Sequence, residues 1–291
     1  MRFIRKVFGI ACIILGIGIY AYPIATTQYS MHKTMKYIRE YDDTWQSEDK
    51  QTKKKKKALL QESQAYNAAI YAEKQECFRD AWSYTQPPFE LHGLKDGKFG
   101  YLKIPAMDVK LPLYIGASKE NLAKGAAVLG QTSLPVGGIN TNSVIAGHRG
   151  YQGIPYFREI EKLEVGDKVY ITNPWETLRY RVESIAIIDP YDNDAVKIQD
   201  GKDMITLVTC HPYRSHGKYR YVVYCIRDTG KEKTKKMESP SVRTEENVFF
   251  VSSEPDIQRE QLFRRVCAGI LLLLFIVTII RHILYKRGRP Q

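Results

Sequence analysis

"MITLVTCHPYRSHGKYRYVVYC", residues 204–225, is the stretch on which the reading of the fold turns. It opens on an apolar, β-branched run ending at Cys210 and closes on an aromatic, β-branched run starting at Arg220. Between the two, residues 211–219 hold Pro212, Ser215 and Gly217. Two short runs of this kind around a turn-rich segment read as antiparallel strands. Cys210 then stands at a strand end, fixed by backbone on one side and open to solvent on the other. Because successive side chains alternate across a strand, Arg220 shares a face with Val222 and Tyr224, and His211 tends to the face opposite Cys210. The same geometry disfavours a Cys210–Cys225 disulfide, since Cys225 falls roughly 16 Å beyond the position opposite Cys210.

Working outward, the same texture recurs from residue 99 onward in "FGYLKI", "VKLPLYIG", "SVIAGH", "DKVYIT" and "LRYRVESIAII", separated by Gly-, Pro- and Asn-containing turns. Many short strands with few helical interruptions indicate a closed or nearly closed β-barrel, and a Rossmann-type sheet is excluded by the same pattern. Residues 119–129, "KENLAKGAAVL", are a short helix candidate, and 157–169 read as a helical turn followed by a strand. Upstream, residues 57–82 carry Ala, Leu, Gln and Glu with apolar positions three or four apart and no Gly or Pro, which predicts one or two amphipathic helices. The polar segment before them, "YDDTWQSEDKQTKKKKK", is expected to be a hydrated connector, and 83–98, with two prolines and two glycines, a turn-rich loop joining helices to barrel.

The chain has 291 residues, 44 % of them hydrophobic, enough for one substantial core plus appendages. Apolar runs lie near both ends, at 7–24 and 266–284, each with basic residues beyond its outer end. They predict terminal transmembrane segments, the first alternatively a cleaved signal peptide, with both tails in the cytoplasm. On that expectation the chain divides into tails at 1–6 and 285–291, a helical extension and connector at 25–98, a catalytic barrel at 99–228 and a juxtamembrane linker at 229–265. The protein would sit in the cell membrane with its catalytic domain on the extracellular side. The net charge of +12 is concentrated in those flanks and in "KKKKK" and "KEKTKK", patches that suit anionic surfaces such as lipid headgroups. Without recognition helix, zinc-finger spacing or aromatic-basic interleaving, nucleic acid is excluded as a partner. Of the five cysteines, Cys77, Cys210 and Cys225 fall between the apolar runs, an odd number that leaves a thiol free unless it pairs between chains.

Cys210 is either a buried, inert thiol or a nucleophile. As a nucleophile it has three candidate partners: His148, which follows the strand-like "NSVIAG"; His216, in the connecting loop; and the adjacent His211. Two strand ends on one rim of a barrel hold a thiol and an imidazole together, which ranks His148 first. A cysteine thiol is mostly protonated at neutral pH, with a pKa of about 8.5, and a nearby cation favours the thiolate. An imidazole donates a proton to a departing amine and takes one from an incoming amine, so the pair suits acyl transfer from an amide. A guanidinium supplies a fixed donor set for a developing oxyanion, and Arg220, Arg214 and Arg149 are the candidates. No metal-ligand spacing or phosphate-cradling loop is present, so neither cofactor nor metal is expected, and Asp189, Asp192 and Asp194 read as a solvated turn.

"TLVTC" at 206–210, the arginine opening the next strand, and the ordered series "GYLKIP", "LPLYIG", "GQTSLPVGG", "AGHRG", "VGDKVYI" and "TLVTCHPY" resemble the sortases, surface cysteine transpeptidases of Gram-positive bacteria. The likeness spans about 100–227, and the helical lead-in with two apolar ends is similar to the pilus-assembling class C. The resemblance implies a mainly β fold, an eight-stranded sortase β-barrel with short helices, an N-terminal helical extension and terminal transmembrane segments. It implies His148, Cys210 and Arg220 as the catalytic trio, with Thr209 supporting. The substrates implied are pilin subunits bearing an LPxTG-like sorting signal, joined to a pilin lysine through an isopeptide bond. The closest rival passes the same acyl group to a peptidoglycan-precursor amine, and a non-catalytic peptide-binding scaffold is the alternative of another class. The chain departs from the class at His211, where a small polar residue is usual. It departs again in "RDAWSYTQPPFELHG", which lacks the Asp-Pro-aromatic triplet of a lid but holds Trp82 and Phe89 as candidate lid residues.

Overall fold

A computed structural model describes residues 2–47, 49–76, 91, 94, 96–151, 154–215, 217–230 and 255–287. Eight strands close into a barrel: β1 (Lys98–Ile104), β2 (Val109–Ile115), β3 (Ala126–Val128), β4 (Thr141–Ala146), β5 (Lys168–Thr172), β6 (Thr177–Ile188), β7 (Asp203–His211) and β8 (Tyr219–Arg227). Their order around the barrel is β1-β2-β3-β4-β7-β8-β6-β5, and β5 closes it on β1. The alternating patterns fill the interior with Phe99, Leu102, Leu113, Ile171, Leu178 and Val182, all fully buried. The strand containing Cys210 has β4 on one side, parallel, and β8 on the other, antiparallel.

Four α-helices, α1 (Arg2–Trp45), α2 (Lys50–Ala72), the single turn α3 (Lys119–Leu122) and α4 (Pro255–Arg287), and three short 3-10 turns at Pro105–Met107, Ile160–Lys162 and Asp194–Val196 complete the described chain. The expected hydrated connector is therefore helical over most of its length. Asp49 explains where α2 starts, because its carboxylate accepts the backbone N–H groups of Gln51 and Thr52, both at 2.9 Å. The hydrogen bond from the Ser47 hydroxyl, with these two from the backbone, holds the Asp49 carboxyl well below the usual carboxylate range. Leu59, Ser63 and Asn67, four residues apart, form the buried face of α2. Asn67 pairs with the backbone of Leu134 in both directions, donating at 3.0 Å and accepting at 2.7 Å. In α1, Tyr37 and Tyr41 donate their hydroxyls to the carbonyls of Gly100 and Phe99. Only α3 and β3 differ from expectation within the barrel: the helix candidate at 119–129 stops after one turn, and its "AAV" becomes the eighth strand.

The expected terminal transmembrane segments are corrected. The runs at 7–24 and 266–284 fall in α1 and α4, and among the described residues no helix is long and apolar enough to cross a membrane. A span needs about 20 predominantly apolar residues. The described side chains of α1 turn polar at Thr26, Thr27 and Gln28, and those of α4 carry Arg264 and Arg265 immediately before Val266. The membrane localisation with an extracellular catalytic domain rested on those segments and is withdrawn with them. Contacts divide the chain into two compact units, Met1–Ser30 with Gln152–Ile154 and Val251–Gln291, and Met31–Tyr151 with Pro155–Phe250. The second holds the barrel, α2 and the latter part of α1.

Candidate active site

The pairing register sets the site. Cys210 lies directly opposite Arg220 across the β7–β8 ladder, so the thiol and the guanidinium leave the sheet on one face. Arg220 folds back over its own turn, its Nη1 donating to the carbonyl of Gly217 at 2.7 Å. Gly217, at φ +84°, makes this possible: a Cβ there would lie 2.7 Å from that Nη1 and 3.2 Å from Sγ of Cys210. Cys225, which the ladder sets opposite Ile205, is a fully buried thiol whose pKa is pushed up by burial. It is five residues beyond the position opposite Cys210, as the strand spacing requires.

His148 arrives from the parallel neighbour. Ala146, the last residue of β4, pairs with Val208, and Gly147 continues the ladder by donating to the Val208 carbonyl at 3.1 Å. Thr209, buried, donates its hydroxyl to the carbonyl of Gly147 at 2.7 Å, tying the residue before Cys210 to the residue before His148. Gly147 has no room for a side chain, because a Cβ would meet the Phe157 ring at 2.7 Å. The imidazole stacks on Tyr151, centroids 4.6 Å apart and planes 17° apart, with Tyr156 edge-on at 6.3 Å. Burial holds the His148 pKa below its ordinary range, which keeps the ring neutral at neutral pH.

A cleft of about 60 Å³ joins these groups, lined by His148, Cys210, Arg220 and Thr209 over a floor that includes Leu122, Leu129 and Val208. The floor continues into the buried cluster of Leu129, Val144, Val208 and Val222. A thiol, an imidazole and a guanidinium thus share one small cleft with an apolar base, the set required for nucleophilic attack on an amide with proton transfer and oxyanion stabilisation.

The other candidates lie elsewhere. Arg214 places its guanidinium over the Tyr213 ring at 5.2 Å. His211 turns to the far face of β7, where Nη1 of Arg149 meets its Nδ1 at 2.8 Å. Arg149 also reaches the Cys210 carbonyl at 3.4 Å and forms a buried ion pair with Glu161. Sequence reasoning named Arg149 only as an alternative oxyanion donor and overlooked Glu161; their separation in the chain gives no periodic signal. Asp189 and Asp192 accept backbone N–H groups of Tyr191 and Ala195, and Asp194 pairs with Lys197, so these carboxylates build a turn. His216, Cys77 and the candidate lid residues Trp82 and Phe89 lie outside the described residues.

Residues 102–228 match the family model of the Sortase domain. Sortase A of Bacillus anthracis is 30 % identical over 185 residues, 62 % of this chain and 82 % of that protein. Among solved structures, sortase C of Streptococcus pneumoniae is 33 % identical with a TM-score of 0.55, covering 66 % of this chain and 95 % of that one. A pilus-related sortase C of Group B Streptococcus is 29 % identical with a TM-score of 0.58, covering 65 % and 96 %.

Proposed function

This chain belongs to the sortase family, a cysteine transpeptidase resembling the pilus-assembling class C, and from that premise we propose that it cleaves an LPxTG-like sorting signal at Cys210 and passes the acyl group to a pilin lysine. The observation that carries the reading is the meeting of Cys210, Arg220 and His148 at one cleft through the β4–β7–β8 ladder.

In this mechanism the Cys210 thiol gives its proton to His148, and the sulfur attacks the carbonyl carbon between Thr and Gly. The carbonyl electrons move onto oxygen, where the guanidinium of Arg220 donates to the oxyanion. The intermediate collapses as His148 protonates the departing glycine amine, leaving a thioester on Sγ. An uncharged lysine ε-amine then attacks the thioester, His148 takes its proton, and the Cys210 thiol is restored as the isopeptide bond forms. Thr209 supports the step by fixing Gly147, and so the backbone that presents His148. Leu122, Leu129 and Val208 offer an apolar floor suited to the Leu and Pro of the signal. The barrel at 99–228 is the catalytic unit in this reading. The same chemistry needs no metal or cofactor.

Intact-mass trapping tests it: wild type incubated with a donor peptide gains the acyl mass, and Cys210→Ala does not. Offering the acyl-enzyme a pilin and a wall-peptide amine in competition, with the linkage read by mass spectrometry, identifies the acceptor. Acylation that persists in Cys210→Ala, or a product linked only to the wall-peptide amine, defeats the corresponding part of the proposal.

A further inference from the structure

We infer that Arg149, braced by Glu161 and joined to His211, is a positioning residue that clamps the end of β7 to the chain leaving His148 and so sets the approach of thiol to imidazole from behind the cleft. The inference rests on the reading that Cys210 and His148 react together. Arg149 follows His148 directly and is 5 % exposed. Its Nη1 reaches both the carbonyl of Cys210, at 3.4 Å, and Nδ1 of His211, at 2.8 Å, while Nη2 is held by the carboxylate of Glu161. The guanidinium lies 5.5 Å over the ring of Tyr221, which pairs with Thr209 in the ladder, and the His211 ring lies 5.7 Å from the same tyrosine. One planar, rigid fork therefore touches the backbone of the nucleophile and the residue after it, and is itself covalently next to the imidazole.

The chemistry of the contact is directional. A guanidinium has donors only, so Nδ1 of His211 must accept, which fixes a neutral ring with its proton on Nε2. Burial, then the Arg149 charge, hold His211 below the ordinary imidazole range, with Glu161 opposing, in keeping with that state. Neither Arg149 nor His211 lines the cleft, so their effect on the reacting atoms passes through the Cys210 backbone and the His148 backbone. The clamp also gives His211 a use at the position where this chain departs from its class.

The test measures single-turnover acylation of the full chain by an LPxTG-like peptide, with kcat and KM, for wild type, Arg149→Lys, His211→Ala and His211→Asn. Lysine keeps the charge against Glu161 but not the fork, and asparagine keeps an acceptor near the place of Nδ1. Displacements of about 1 Å in a reacting pair cost up to about 100-fold, so Arg149→Lys and His211→Ala are expected to lower kcat by roughly 10- to 100-fold with little change in KM. His211→Asn is expected to restore most of the rate lost in His211→Ala. A wild-type rate in either Arg149→Lys or His211→Ala overturns the inference, as does a loss carried by KM or one that His211→Asn fails to rescue. Should Arg149→Lys not fold, the two His211 variants decide it. Failure of the wild type to acylate at Cys210 overturns the proposed function instead, so the two failures are distinct.

Discussion

Gly217 lies against both the thiol of Cys210 and the guanidinium of Arg220, and a side chain there would meet both. Gly217→Ala puts a methyl group 2.7 Å from the Arg220 guanidinium at a φ of +84°. The left-handed backbone costs about 1–2 kcal/mol, and the flexible end of Arg220 moves aside to relieve the contact. The expected result is a modest fall in the urea midpoint and a larger fall in acylation rate, about tenfold or more, because the guanidinium proposed as the oxyanion donor is displaced. Gly166→Ala, also at a positive φ of +100° but with open space for a Cβ, controls for the backbone strain, and an equal loss of acylation rate in the two variants would contradict this. A second prediction concerns pH. His148 and His211 both have folded pKa values below the unfolded value of about 6.5. The unfolded chain therefore binds more protons in that window, so the stability owed to the neutral rings is complete above about pH 6.5 and is lost as pH falls toward the folded values. Urea midpoints across pH 5–8 should drop on the acid side, and His211→Asn should flatten that drop. At this scale the sequence was informative where alternation or strand ends decide direction, as for Cys210, Arg220 and the turn of His211 to the face opposite Cys210. It was silent on Glu161, because a buried ion pair between a loop and a helical turn leaves no local pattern.

The elements show a similar division. Seven strands are readable from β-branched runs, but β3 is three residues long and is preceded by a capped helical turn, so "KENLAKGAAV" looks helical throughout. Its strand state comes from pairing with β2 and β4, a tertiary cause. For α2, periodicity revealed a helix, but the lysine run hid its first turns; the Asp49 cap, not the apolar stripe, determines that boundary. The docking of α2 depends on Asn67, whose amide satisfies both backbone groups of Leu134 in a buried setting. Asn67→Leu strands a buried N–H and C=O, each costing about 1–3 kcal/mol. The expected outcome is a loss on the order of 2–5 kcal/mol in urea unfolding, against roughly 1 kcal/mol for Tyr41→Phe, which removes a single hydroxyl from the Phe99 carbonyl. A loss of about 1 kcal/mol or less in Asn67→Leu would show that its two bonds to Leu134 do not carry the docking of the helix.

For the molecule as a whole, the strand pattern pointed to a barrel and the apolar ends to membrane spans, and the barrel is found while the ends belong to helices whose described residues fall short of a span. Residues 31–230 hold the barrel, α2 and the latter part of α1. Within that stretch the helices reach the barrel at separated points. Trp175 Nε1 donates to the Lys56 carbonyl at 2.8 Å, and Gln75 joins Gln131 and Ile198 at 3.0 and 2.8 Å. Asn67 holds Leu134, and Tyr37 and Tyr41 hold Gly100 and Phe99. These bonds are each worth about 0.5–1.5 kcal/mol net, and burial of Leu59 adds about 1.5–3 kcal/mol. The entropy of ordering the helices offsets part of this gain, but the bonds are spread over four separate places on the barrel, so losing the helices exposes several buried groups at once. A chain trimmed to 31–230 should therefore unfold in one cooperative transition and acylate a donor peptide at the full-chain rate. One trimmed to 98–230 should be unfolded or aggregated under the same conditions, as judged by near-UV circular dichroism and urea titration. A stable, active 98–230 barrel would mean that the helices are a spacer and that the bonds above contribute little; the burial of Leu59 and Asn67 argues that they are part of the fold.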